Sequence, residues 1–240
     1  MKTQGFALVI AILVVLSMGF NSRRDKTVHC HDTGTVSFDP FIYYEQDVRD
    51  YRALMPDING FPSLQEINTQ DKVNVLIEIK GLDPDEGQMM LETAKTYILQ
   101  IPESLRSDFT RRKFKLNIMS PEAYKQFWRE EWESDTSSYA CYSSTRSRIM
   151  TTDVSLKTLA HEFGHHLFTF YGDIQKYEPI YRAEIDMVCE LVSSDYGRTN
   201  ISEGFAEAYS CYITNRKALA GYAPRTFAYI ERTMGLIPIS

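Results

Sequence analysis

His161-Glu162-Phe163-Gly164-His165 is the stretch on which the reading of this chain turns. On a helix, residues four apart share a face, so the two imidazoles of an H-E-x-x-H pattern can reach one metal ion. Glu162 can take a proton from a water that the metal activates. The flanking residues supply the helix. Leu156, Leu159, Phe163, Leu167 and Phe170 recur at helical spacing and predict a buried stripe. Asp153 is the expected N-cap and Gly172 the expected stop. His161, Glu162 and His165 project from a neighbouring face, and His166 is read as a residue of the helix surface.

Two histidines leave a catalytic zinc one protein ligand short, because such sites use three and keep the fourth position for water. The candidate third ligand lies in Ser202-Glu203-Gly204-Phe205-Ala206-Glu207. Glu203 opens a helix read from Ser202 to Leu219, and Glu207 shares its face. One carboxylate can ligate. The other can accept the second ring N–H of a ligating histidine and fix its tautomer. Phe205, Ala206, Ala208 and Tyr209 give the pair apolar company that a solvated acidic face does not need.

The rest of the pattern predicts an α+β domain over residues 72–240. Val73, Val75, Ile77 and Ile79 alternate with other residues and predict a strand with one buried face. Residues 81–85 read as a turn, and 86–100 as a helix burying Met89, Met90, Ala94, Tyr97 and Ile98. Phe114 to Met119 reads as a second strand. Ser120-Pro121-Glu122 then opens a helix, with Ser as N-cap and Pro in the first turn. Residues 132–148 are polar and read as a loop, followed by a strand near 148–151. That last strand is the candidate edge on which a substrate could add as a further strand. Helices over 178–193 and from Pro224 to about Met234 complete the chain. The architecture expected is a small mixed sheet packed on the active-site helix, with a mainly helical C-terminal half.

Length and composition fit one globular domain with an N-terminal extension: 240 residues, 43% hydrophobic, net charge −6. No Lys/Arg block suits a nucleic-acid partner. Lys2, the apolar run from Phe6 to Leu16 and the small residues Ser17 and Gly19 make residues 1–19 a signal peptide, or an uncleaved anchor that would hold the protein at a membrane. Residues 20–71 form the N-terminal extension. The body of the protein is thus expected outside the cytoplasm, secreted or membrane-anchored. Cys30, Cys141, Cys189 and Cys211 can pair in three ways there or remain buried thiols. No C-x-x-C pair argues for a cysteine-rich structural zinc site. His29-Cys30-His31 is read as incidental rather than as a metal site.

Four stretches in order carry a resemblance: the 161–165 motif, Tyr196-Gly197-Arg198-Thr199-Asn200, Glu203-Gly204-Phe205-Ala206-Glu207 and Ala223-Pro224-Arg225-Thr226-Phe227. Together they resemble the catalytic domain of anthrax lethal factor, in a family that includes the secreted Pro-Pro endopeptidases. The resemblance is tight from residue 159 onward and loose back to residue 72. It implies a zincin-like fold and a zinc metalloendopeptidase of the gluzincin type, with one Zn2+ per chain and a peptide or protein substrate. By resemblance, His161, His165 and Glu203 would ligate zinc. Glu162 would be the general base, Tyr196 would donate a hydrogen bond to the oxyanion, and Glu207 would support a ligand. There are departures. Too few residues precede the catalytic part for the toxin's pore-docking domains, so delivery into a cell by that route is not expected. Gly204 stands where relatives carry an aromatic residue, which is expected to loosen the helix start by about 1 kcal/mol. The competing reading is a secreted or surface-anchored, toxin-like binding protein with a non-catalytic zinc site.

Overall fold

The structure, a computed structural model, describes residues 28–30, 74–132 and 138–238. The N-terminal apolar run, most of the extension, the side chains of His29-Cys30-His31 and the start of the 132–148 segment lie outside the described residues. Among the described residues no helix is long and apolar enough to cross a membrane.

The sheet forms first along the chain. Strand β1 spans Val28–Cys30 and β2 Leu76–Lys80, followed by helices α1 (Pro84–Ile98) and α2 (Glu103–Arg111). Then come β3 (Lys115–Met119), α3 (Pro121–Trp132), β4 (Ala140–Ser143) and β5 (Arg148–Thr151). The C-terminal half is helical: α4 (Leu156–Tyr171), α5 (Ile174–Val192), a 3-10 turn (Tyr196–Arg198), α6 (Ile201–Thr214), α7 (Arg216–Tyr222) and α8 (Pro224–Met234). The five strands lie in the order β1-β4-β5-β3-β2. β2, β3 and β5 run parallel, while β4 is antiparallel to both β5 and β1. The expected small mixed sheet on a motif-bearing helix is therefore present.

Both faces of the sheet are covered. Leu116, Ile118, Tyr142 and Ile149 join the main core with Ala94, Ile98, Leu105, Phe109 and the α4 residues Leu159, Phe163 and Leu167. On the other face Met119, Cys141 and Met150 meet Tyr124 and Trp128 of α3. Ser120 caps α3 as expected, accepting from Ala123 N at 3.1 Å. Asp83 caps α1 through the amides of Asp85 and Glu86.

Several expectations need correction. β5 cannot receive an added strand, because β3 and β4 already flank it. β4 itself lay unseen within the expected loop; all four of its residues are buried, so no alternation marks it. Helix α2 was not expected at all, since its buried Arg106 and Asp108 break the apolar pattern. β2 is an edge strand, and only Val75, just before it, is fully buried while Leu76 is exposed. Met89 of α1 is likewise exposed. The N-cap of α4 is Ser155, not Asp153; Asp153 instead accepts from the hydroxyls of Ser155 and Thr158. α5 begins at Ile174 with Asp173 as cap and carries Pro179 in its first turns. The helix expected from Ser202 to Leu219 is two helices, since Asn215 ends α6 and caps α7 through Ala218 N. Cys141, Cys189 and Cys211 are buried free thiols.

Candidate metal centre

The centre is built where α4 crosses α6. Two features allow the helices to meet closely. Gly164, inside the 161–165 motif, has no side chain; a Cβ there would sit 3.0 Å from Ala206 Cα and 3.0 Å from Tyr209 Cβ. Asn200 caps α6 by accepting from the amides of Ser202 and Glu203, which fixes Glu203 in the first turn. α4 is buried along almost all of its middle, from Thr158 to Phe168.

The result is a triangle of donors. His161 Nε2 lies 3.0 Å from His165 Nε2, and each lies 3.1 Å from Glu203 Oε2. All three side chains are buried. Two imidazole nitrogens and a carboxylate oxygen converge here. Tetrahedral zinc with bonds of 2.0–2.1 Å sets its ligand atoms about 3.3 Å apart, so the donors fit in both chemistry and spacing. The second ring nitrogens face polar groups, that of His165 at hydrogen-bond distance and that of His161 beyond it. His165 Nδ1 lies 3.3 Å from Ser202 Oγ, and His161 Nδ1 lies 3.8 Å from Glu207 Oε1. Both arrangements leave Nε2 facing the triangle.

Glu162 is completely buried, and among the described residues neither of its carboxylate oxygens has a hydrogen-bond partner. Burial raises its pKa well above the usual carboxylate range, with Cys141, Glu203 and Glu207 adding to the rise. Tyr196 sits at the rim, half-buried, its ring centroid 6.1 Å from that of His161. The turn that carries it is tied to α5 by Tyr181, whose hydroxyl donates to Gly197 O at 3.1 Å, and by Arg198, which donates to Asp186 at 2.9 Å. The residues singled out by sequence thus come together in one place.

Residues 111–233, just over half of the chain, match the family described as anthrax toxin lethal factor, N- and C-terminal domain. The chain belongs to the anthrax toxin lethal factor family. Membership supports metal-dependent peptidase chemistry on a peptide or protein. No curated protein matches the sequence. Among solved structures, the Pro-Pro endopeptidase of Paenibacillus alvei is similar at 14% identity and a TM-score of 0.47, over 68% of this chain and 99% of that one.

For this lethal factor family member the structure corrects one reading. His166 is not on the helix surface but fully buried. Its Nε2 lies 3.2 Å from Asp108 Oδ2 and its Nδ1 3.3 Å from the Tyr142 hydroxyl. A carboxylate can only accept, so Nε2 carries the proton and Nδ1 accepts from Tyr142. Burial lowers the His166 pKa, against the pull of Asp108, which favours this neutral ring. Asp108 also accepts from Tyr171 at 2.7 Å and Arg112 Nε at 2.7 Å, and pairs with Arg111. Gly204 is closely packed. The space beside it is filled by the Tyr181 ring, which a Cβ would overlap, and the carbonyl of Gly197 lies 2.9 Å from that position. Ser202, Tyr142 and Asp108 were missed in the sequence, since their partners in the site are 24 to 58 residues away.

Proposed function

We propose that this protein is a zinc-dependent endopeptidase of the gluzincin type, exported from the cytoplasm and either secreted or held at the surface by its N-terminal segment. The observation that carries the reading is the triangle of His161, His165 and Glu203 donors at 3.0–3.1 Å with a buried, partnerless Glu162 carboxylate on the same helix. His161, His165 and Glu203 would hold the ion. When bound, zinc supplies Lewis-acid polarisation of the scissile carbonyl and makes a water acidic near pH 7.

The chain's own groups do the rest. Glu162 accepts the proton of the attacking water at its carboxylate and returns it to the leaving amine. Its burial excludes competing solvent and keeps its proton affinity high enough for that return. Tyr196 donates its phenolic O–H to the developing oxyanion; loss of one such donor typically costs about a hundredfold or more in rate. Ser202 holds the His165 imidazole with Nε2 directed inward, and the Glu207 carboxylate lies 3.8 Å from the second ring nitrogen of His161.

The test is Glu162→Gln. The variant is expected to retain stoichiometric zinc while losing cleavage of a peptide library, and a chelator is expected to silence the wild-type chain. A wild-type chain that binds zinc but cleaves no peptide would overturn the enzyme reading in favour of a binding protein. N-terminal sequencing of the exported protein tests removal of residues 1–19.

A further inference from the structure

We propose that Tyr181 is a positioning residue for the reaction: its hydroxyl fixes the Tyr196–Arg198 turn against the start of the ligand helix, and through that turn it places the phenol of Tyr196. This rests on the peptidase reading above. Tyr181, Ile185 and Cys189 follow one another at four-residue spacing on α5 and so share a face. That face seats the turn. A Cβ on Gly197 would lie 3.2 Å from Ile185 Cδ1, 3.4 Å from Cys189 Sγ and 3.4 Å from Gly204 Cα. Gly197 is thus held between α5 and the residue that follows the ligand Glu203. The turn's own backbone bonds, Arg198 N to Asp195 O at 2.9 Å and Thr199 N to Tyr196 O at 3.0 Å, fix its shape but not its place on the fold. Its place comes from α5. Ile185 and Cys189 supply shape, and the Arg198–Asp186 pair is exposed, where such pairs are weak. Tyr181 adds a directional bond, its hydroxyl donating to Gly197 O at 3.1 Å. The same ring fills the space beside Gly204. One side chain therefore touches both the residue after Tyr196 and the residue after Glu203.

Tyr181→Phe keeps the ring beside Gly204 and removes only the donor. The oxyanion forms only on the way to the transition state, so the variant is expected to lower kcat about tenfold with KM and zinc affinity unchanged. Tyr196→Phe is expected to cost about a hundredfold in kcat. Because Tyr181 acts through Tyr196, adding Tyr181→Phe to Tyr196→Phe is expected to cost nothing more, whereas independent effects would multiply. Cleavage kinetics on a peptide that the wild type cuts read the cycle, and competition against a chelator reads the zinc affinity. Hydrogen exchange at the amides of Arg198 and Thr199 is expected to quicken several-fold in Tyr181→Phe, with the middle of α6 unchanged. Losses that multiply in the double variant overturn the proposal. So does a Tyr181→Phe chain that cleaves at the wild-type rate or binds zinc more weakly. If the wild type binds zinc and cleaves nothing, the peptidase reading falls, and the exchange rates alone decide whether Tyr181 fixes the turn.

Discussion

Gly164→Ala tests whether the close approach of two helices is what assembles the centre. The added Cβ would lie 3.0 Å from Ala206 Cα, 3.0 Å from Tyr209 Cβ and 3.3 Å from Ala206 O. Carbon pairs rest at about 3.5–4.0 Å, so both carbon contacts are short by roughly 0.5–1 Å. Neither neighbour is the end of a flexible side chain. One is backbone and one is a Cβ, so α6 itself must retreat. Overpacking of this kind costs about 1–3 kcal/mol. Replacing a helical glycine by alanine returns about 1 kcal/mol. The net loss of stability is thus only about 0–2 kcal/mol. The effect on the site is larger, because ligand positions tolerate a displacement of only about 0.5 Å. Glu203 and Glu207 move with α6, while His161 and His165 stay on α4. Zinc affinity is expected to fall about ten- to a hundredfold, the scale seen when ligand support is lost. Competition against a calibrated chelator reads the affinity, and urea unfolding of the same samples reads the stability. A variant that binds zinc as tightly as the wild type would show that helix contact at Gly164 does not bring Glu203 to the histidines.

Asp108→Asn leaves the part-exposed Arg112 and the buried His166 beside a neutral group and is expected to cost about 1–3 kcal/mol in urea unfolding. Burial pushes the Asp108 carboxyl up, but the hydrogen bonds from His166, Tyr171 and Arg112 outweigh it and hold the group below the usual range. A depressed folded pKa gives stability that is fully present above the unfolded value of about 3.9 and is lost as pH falls below it; the variant's stability should be flatter between about pH 4 and pH 2. Glu184 on α5 accepts from Arg225 N at 3.1 Å and Thr226 N at 2.7 Å, capping α8 from another helix. Glu184→Ala is expected to cost about 1–2 kcal/mol by thermal unfolding, with hydrogen exchange accelerated first at the start of α8. Gly204→Ala should destabilise through overlap with Tyr181, and Tyr181→Ala in the same chain should recover part of that loss, a non-additivity that a double-mutant cycle measures. Removing zinc should lower the melting temperature, since a ligand at a hundred times its Kd stabilises by about 2.7 kcal/mol; equal melting curves with and without chelator would contradict the proposed site.

What could be read from the sequence was local. The 161–165 motif states its own geometry, because helical spacing places His161 and His165 on one face. Ser120-Pro121 marks the start of α3 locally as well, by an N-cap hydroxyl followed by a first-turn proline. Glu203 was reached through its apolar neighbours and through the resemblance, and α6 does present it to the histidines. The misses share a different cause. β4 is buried on both faces, so the two-residue period that announces a strand is absent. α2 hides its helical period behind two buried charged residues, Arg106 and Asp108. His166 looked like a surface residue because the group that permits its burial, Asp108, lies 58 residues away. Asn215 reads as an ordinary helix residue until its side chain is seen capping the next helix. Pairwise polar contacts across the fold leave no periodic trace in one sequence.

The charge balance of the centre links these pieces to the chemistry. Glu162, Glu203 and Glu207 are 0–2% exposed and lie around two imidazoles that are 1% exposed. Each ionised carboxylate taken out of water costs several kcal/mol even after the protein relaxes. Burial is the main cause of the raised pKa of Glu162, and Cys141, Glu203 and Glu207 add to it. Among the described residues no lysine or arginine pairs with Glu162, whereas the buried Asp108 has Arg112 and Arg111. The fold therefore neutralises one buried carboxylate with its own cations and leaves the other cluster arranged for a divalent one. A structural ion would need only the three donors, and an apolar residue at position 162 would serve it as well as a glutamate does. Under the proposed function, the Glu162 carboxylate, sealed from solvent, is the group that takes up a proton and gives it back.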